Sequence, residues 1–274
     1  MRQFFTPLAI SLALVLSALA PSASARDLIL AISEGSSGGT DHARVISKYQ
    51  GLADVIGRSI NKNVAVIFIR EFSALEDGLT QKRFDLAMAR PSDYPARAIR
   101  DHGYQYVASG KPDGQCFIIV PKRSTLTSLS QIKGKRMVMP NPAAYMTKLC
   151  TAELKRQGID LEQEDVKRVK EQGAVAFFLE NSFADVGGVA SYSGVAKSWE
   201  AKGHRVLHKS EPQPYFPLIA SNALSTAEVA AIQQSLRKLP DSPAGQKVLD
   251  TIELQAFDTG SEQRLAKLLL WLGL

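Results

Sequence analysis

The sequence predicts an α/β protein of two lobes, each a mainly parallel sheet flanked by helices, joined by two hinge crossovers. Three observations predict it. Residues 27–89 run in β-α-β-α-β order, the pattern of a parallel, doubly wound sheet. A strand–turn–helix unit recurs at Asp85–Ala98, at residues 128–150 and at Asp185–Ala196. The same series repeats on either side of Gly114, which argues for two similar lobes.

The elements follow in order. Leu28–Ile32 is an apolar first strand, leading into the Gly-rich loop Glu34–Thr40. His42–Ser59 has helical spacing through Val45, Ile46, Tyr49, Leu52, Ala53 and Ile56. Val64–Ile69 is a β-branched strand, Ser73–Lys82 a helix and Phe84–Ala89 a third strand. Tyr104–Ala108 is a further strand, and Lys111-Pro112-Asp113-Gly114 reads as punctuation before the apolar strand Phe117–Pro121.

A second series then begins: strand Met137–Met139, helix 143–157, strand Asp165–Lys170, a helix around 173–181 and strand Ala184–Val189. Val206–Leu207 and the Pro-rich Glu211–Pro217 lead to strand Leu218–Ser221. Helices near 225–238, 242–251 and 261–272 close the chain and are expected to pack on the first lobe. The expected lobes are residues 26–112 with 212–274, and residues 113–211.

Residues 1–25 read as an export signal. Arg2 is a positive n-region, Leu8–Leu19 an apolar h-region, and Ala23-Ser24-Ala25 a small-x-small cleavage site. The mature chain is expected to begin at Arg26, in the periplasm, as a monomer without cofactor or bound metal. The signal holds one of the 33 basic residues and none of the 27 acidic ones, so the mature net charge is +5. That excess is scattered, with no basic stripe interleaved with aromatics, which argues against nucleic acid. A mild positive field suits an anionic small molecule.

The candidate site follows from the strand ends, because a strand that delivers a helix N-terminus leaves free N–H groups facing a crevice. In the first lobe these positions are Ser33 and Glu34, Ser73, and Arg90, Ser92 and Tyr94. In the second they are Ala143, Ala144 and Tyr145, then Ser191 and Tyr192. Arg90 can clamp an oxyanion through two N–H groups, or pair with Asp93. The two cysteines, Cys116 and Cys150, leave three alternatives: a disulfide, packed thiols, or a Cys116 thiolate as a soft ligand.

The loop 34–40 is not followed by Gly-Lys-Ser/Thr, so it is no Walker loop. His42, His102, His204 and His208 are scattered, which gives no zinc spacing. No paired catalytic carboxylates occur, and the expectation is a protein that is not an enzyme.

Several segments together resemble a known family. They are Asp85-Leu86-Ala87 with Pro91-Ser92-Asp93-Tyr94, Phe117–Lys122, Ser128-Leu129 with Ile132-Lys133-Gly134-Lys135, Gly158-Ile159-Asp160, and Ala184–Val189. They resemble the phosphate/phosphite/phosphonate-binding solute receptors of the type II periplasmic binding fold. The resemblance implies a receptor that closes on a small anionic ligand and delivers it to an inner-membrane ABC permease. A second implied role is a ligand sensor, for arsenite or another oxyanion, that signals to a membrane histidine kinase; arsenite sensors on this scaffold use cysteine, which points to Cys116. The chain departs from phosphonate binders where they carry a Ser-Thr-Ser-Gly-like run, having Pro142-Ala143-Ala144-Tyr145 instead. The family's His-Glu pair falls near Gln172-Gly173. The scaffold is kept and the pocket rewritten.

Overall fold

The computed structural model describes residues 26–35 and 41–274. The export signal and residues 36–40 of the Gly-rich loop lie outside the described residues. Two sheets are present. The first begins with β1 (Leu28–Ser33), α1 (His42–Ile60), β2 (Val64–Phe68), α2 (Phe72–Thr80), β3 (Leu86–Ala89) and α3 (Asp93–His102). β4 (Gln105–Gly114) then leads into β5 (Cys116–Val120) of the second sheet. That sheet continues through β6 (Met137–Pro140), α4 (Tyr145–Arg156), β7 (Val166–Val169), α5 (Gln172–Glu180), β8 (Val186–Ala190), α6 (Gly194–Trp199) and β9 (Arg205–Lys209). β10 (Gln213–Ala220) returns to the first, followed by α7 (Thr226–Arg237), α8 (Pro243–Thr251), β11 (Ala256–Asp258) and α9 (Glu262–Leu272).

The six-stranded sheet has the order β11-β4-β10-β3-β1-β2, and the five-stranded sheet β7-β6-β8-β5-β9. β1 runs parallel to β2 and β3, as β6 does to β7 and β8. The strands that change sheet run antiparallel to their neighbours: β10 against β3 and β4, and β5 against β8 and β9. The two crossovers lie side by side. Gln213 pairs with Gly114, the Cys116 N–H donates to Ser210 Oγ at 2.9 Å, and the Gln115 side-chain amide donates to Ser210 O at 2.6 Å. Two extended strands tied to each other thus connect the two sheets.

Strand continuity corrects two readings. Lys111–Gly114 is not a turn: β4 runs through it, because Gly110 and Lys111 pair with Phe257 and Ala256 of β11 and Gly114 pairs with Gln213. Pro112 falls between paired positions, where its missing N–H costs no ladder bond. Pro214 and Pro217 likewise sit at register shifts within β10, so the Pro-rich stretch is strand. β11 went unpredicted, and Ile46, expected on the inner face of α1, is 36% exposed.

α1 shows how burial selects the helix. Val45, Tyr49, Leu52, Ala53 and Ile56 form a buried stripe at helical spacing. Asp41 caps the start by accepting from the Ala43 N–H at 3.2 Å, and Asn61 ends it in the left-handed conformation. At ~1.5–3 kcal/mol for each large apolar side chain removed from water, this stripe outweighs every capping term. The largest core cluster is continuous across both sheets, joining Leu30 and Leu86 to Ile118, Met139 and Leu149. Of the C-terminal helices, α7 and α8 pack on α1 as expected; α9 packs on α3 and β10 and also reaches α4 beyond the crossover.

Candidate functional site

The C-terminal ends of β3, β6, β7 and β8 meet at a crevice between the two sheets, enclosing a cavity of about 270 Å³. Glu34, Gly35 and Arg90 line it from the six-stranded half. Ala144, Tyr145 and Met146 face them from the start of α4, with Glu171, Gln172 and Gly173 from the start of α5 and Tyr192 beyond β8. A space of this size suits a small solute.

Arg90 is the central cation. The Arg90 N–H donates to Ser33 O at 2.9 Å, which fixes its backbone to β1. Its guanidinium lies 5.3 Å from the ring centre of Phe216 and 5.7 Å from that of Tyr192. One Arg90 nitrogen lies 3.6 Å from Glu34 Oε1, and Arg90 Nε is buried with no hydrogen-bond partner among the described residues. Glu34 is held in turn by Lys48 Nζ at 2.8 Å and the Tyr49 hydroxyl at 2.7 Å. Burial would raise the Glu34 pKa, but Arg90, Lys48 and Tyr49 outweigh it and hold the carboxyl below its usual range. Burial also works against the Arg90 charge, which its neighbours Tyr215, Tyr49, Glu34 and Tyr192 more than restore. Glu34 and Arg90 are therefore both ionised at neutral pH.

Two helix N-termini face this cation. Ala144, the residue before α4, has no side chain able to cap it, and Glu171, before α5, makes no side-chain cap bond. Asn141 Oδ1 accepts from the Ala143 N–H at 2.8 Å, which holds Ala143 outside the helix and starts α4 at Tyr145. The first-turn N–H groups of α4, and those of Gln172 and Gly173 in α5, are thus left for whatever enters the cavity, while the Ala174 N–H donates to Glu171 O at 3.1 Å. α5 reaches this position because it packs tightly on β8 at Gly187, where a Cβ would stand 2.6 Å from Val175 Cγ1. Burial keeps the Tyr145, Tyr192 and Tyr215 phenols protonated well past neutral pH, so their hydroxyls act as donors.

Other contacts bridge the crevice. Lys148 Nζ lies 2.6 Å from Asp93 Oδ2, whose side chain is fully buried. The Tyr145 hydroxyl donates to Pro214 O at 2.6 Å, and Tyr192 stacks on Tyr215 with centroids 4.3 Å apart.

Of the sequence-predicted residues, Glu34, Arg90, Ala144, Tyr145 and Tyr192 line the cavity. Others lie elsewhere. Ser73 is exposed on α2. Tyr94 stacks on Phe72 at 5.9 Å under Lys148, away from the cavity lining. Ser92 is buried beside the Tyr145 hydroxyl, and Ser33 is buried with its Oγ unpartnered among the described residues. Ala143 stands one residue outside the lining, and Ser191 Oγ accepts from the Gln115 N–H at 3.1 Å at the crossover. Arg90 pairs with Glu34 rather than with Asp93.

Cys116 requires a correction. Its sulfur is bonded to that of Cys150 at 2.01 Å, and both residues are fully buried between β5 and α4. No thiolate is left there, which removes the soft-ligand alternative. Among the described residues no three metal-ligating side chains cluster; His204 stacks on Trp199 and His208 pairs with Glu153 at 2.8 Å.

Sequence reasoning missed Met146 and Glu171; it reached Gly35 only as part of the Gly-rich loop, and Gln172 and Gly173 only as the place where the family's His-Glu pair falls. The rule that found Ala144 applies equally to the end of β7 and would have found Glu171–Gly173. Glu253 and Tyr215, beside Arg90, come from distant parts of the chain and carry no local signal.

The family model described as "ABC transporter, phosphonate, periplasmic substrate-binding protein" matches residues 39–265. The chain belongs to this family. Its members are substrate-binding transport proteins rather than enzymes, and they work in the periplasm. Solved structures agree at the level of fold. PhnD1 from Prochlorococcus marinus, in complex with methylphosphonate, superposes with a TM-score of 0.68 at 11% identity, over 89% of this chain and 96% of that one. XAC2383 from Xanthomonas citri, bound to ATP, gives 0.71 at 16% identity, over 89% and 97%. The aliphatic sulphonate binding protein SsuA from Escherichia coli gives 0.59 at 16% identity, over 90% and 84%. The fold is that of the type II periplasmic binding proteins, and no described helix is long and apolar enough to cross a membrane.

Proposed function

We propose that this protein, exported by residues 1–25 and acting in the periplasm as a monomer, closes on a small oxyanion and presents it to an inner-membrane ABC permease. One observation carries the reading. The uncapped starts of α4 and α5 open into the same cavity as the buried guanidinium of Arg90. Each helix start offers a partial positive charge of ~0.5 with N–H donors, and the guanidinium adds a fork of further donors.

The moving lobes are residues 26–112 with 212–274, and residues 113–211. Because the ligand touches Glu34, Gly35 and Arg90 on one side and α4, α5 and Tyr192 on the other, it binds the closed arrangement more tightly and shifts the population toward it. The lining lacks the hydroxyl run of phosphonate binders, so backbone N–H groups and the Tyr192 hydroxyl take over the donor role.

A thermal-shift panel of phosphate, phosphite, methylphosphonate, alkylsulfonates and arsenite tests this reading. A ligand at a hundredfold excess over Kd adds ~2.7 kcal/mol, and at ~2–4 °C per kcal/mol the midpoint rises by about 5–11 °C. Arg90→Ala is expected to abolish the shift. No shift with any oxyanion, or an unchanged shift in Arg90→Ala, would overturn the proposal.

A further inference from the structure

We infer that this cavity selects singly charged oxyanions over doubly charged ones, and that Glu34 sets the limit. The inference rests on the oxyanion reading above and narrows it. Four charged side chains stand together behind the cavity. Lys48 Nζ is 2.8 Å from Glu34 Oε1 and 3.0 Å from Glu253 Oε2, and an Arg90 nitrogen is 3.6 Å from the first and 4.0 Å from the second. Two cations meet two carboxylates, and the fixed charge cancels.

The balance is held away from solvent where it matters. The Glu34 side chain is 5% exposed and that of Arg90 15%, so little water screens them. What remains positive is the pair of helix starts, together ~+1. Glu171, the only other carboxylate on the lining among the described residues, is exposed, so solvent screens its charge. A monoanion therefore finds a matching charge. A second negative charge would face the Glu34 carboxylate, and the next cation, Lys197 on Glu253, is exposed and screened by solvent. A carboxylate beside an anion site is a repulsive element of the kind that sets specificity by excluding a competitor.

The test compares methanesulfonate with sulfate, which share a tetrahedral sulfur and differ in one methyl for one charged oxygen. Both are titrated calorimetrically into the full mature chain, alongside methylphosphonate. Wild type is expected to bind methanesulfonate at least about tenfold more tightly than sulfate. Glu34→Gln removes one negative charge and should narrow or reverse that ratio. Glu253→Gln, at a side chain 60% exposed, disturbs the core less and should shift the ratio the same way by a smaller factor. Sulfate binding as tightly as methanesulfonate in wild type, or a ratio unmoved in both variants, overturns the charge limit while leaving the oxyanion reading standing. Failure of all three anions to bind overturns the oxyanion reading itself.

Discussion

Breaking the Cys116–Cys150 bridge should lower stability by an amount set by loop length. The cysteines are 34 residues apart in sequence. A cross-link of that span removes ~12.6 cal/mol/K of unfolded-chain entropy, or ~3.8 kcal/mol at 25 °C. For a chain of this size that corresponds to a midpoint lower by about 8–15 °C. The bridge ties α4 to β5, so its loss also frees the helix whose first turn lines the cavity. The assay is thermal unfolding with and without a phosphine reductant, with complete reduction verified by the mass of the alkylated protein. Cys116→Ala/Cys150→Ala separates the cross-link from the reductant, at the added cost of two small voids. Equal midpoints for the oxidised and fully reduced chains would show that the bridge does not stabilise the fold, and peptide mapping that finds both thiols free would show that it does not form.

Two further perturbations probe the ion pairs at Asp93 and Glu228. Lys148→Met strips the buried Asp93 carboxylate of its nearest cation, leaving Arg97 at 3.8 Å. The cost should be about 2 kcal/mol in urea unfolding, below the ~3–5 for a fully buried pair, and an unchanged midpoint would count against the bridge across the crevice. Glu228 has a pKa of about 2, lowered by Lys62 first and then by the Ser225 capping bonds. A lowered carboxyl stabilises fully above its unfolded value of 4.5 and loses that stabilisation as pH falls toward 2, so Glu228→Gln should flatten the stability profile in that window and little above it. An equal slope in both proteins would contradict it.

The fold was legible because its information is local. Apolar runs such as Leu28–Ile32 and the stripe of α1 declare strand and helix by period alone, and strand ends followed by helix starts located Arg90, Ala144, Tyr145 and Tyr192. The errors have physical causes. Prolines at 112, 214 and 217 suggested breaks, yet they fall at unpaired positions or register shifts where a strand tolerates them. β11 is three residues long and exists only because β4 offers it an edge. The charge environment of Arg90 depends on Lys48, Tyr215 and Glu253, which no sequence window brings together. The same holds for Asp93: a helix-start acid in the sequence, it becomes a bridge to Lys148 only through the fold.

The most direct test of the central claim is a crystal structure of the protein with the tightest-binding oxyanion from the panel. Anion oxygens are expected ~2.9 Å from first-turn N–H groups of α4 and α5, with Arg90 on the opposite side. An anion seated elsewhere, such as the groove on the six-stranded half lined by Arg58 and Lys62, would contradict that claim.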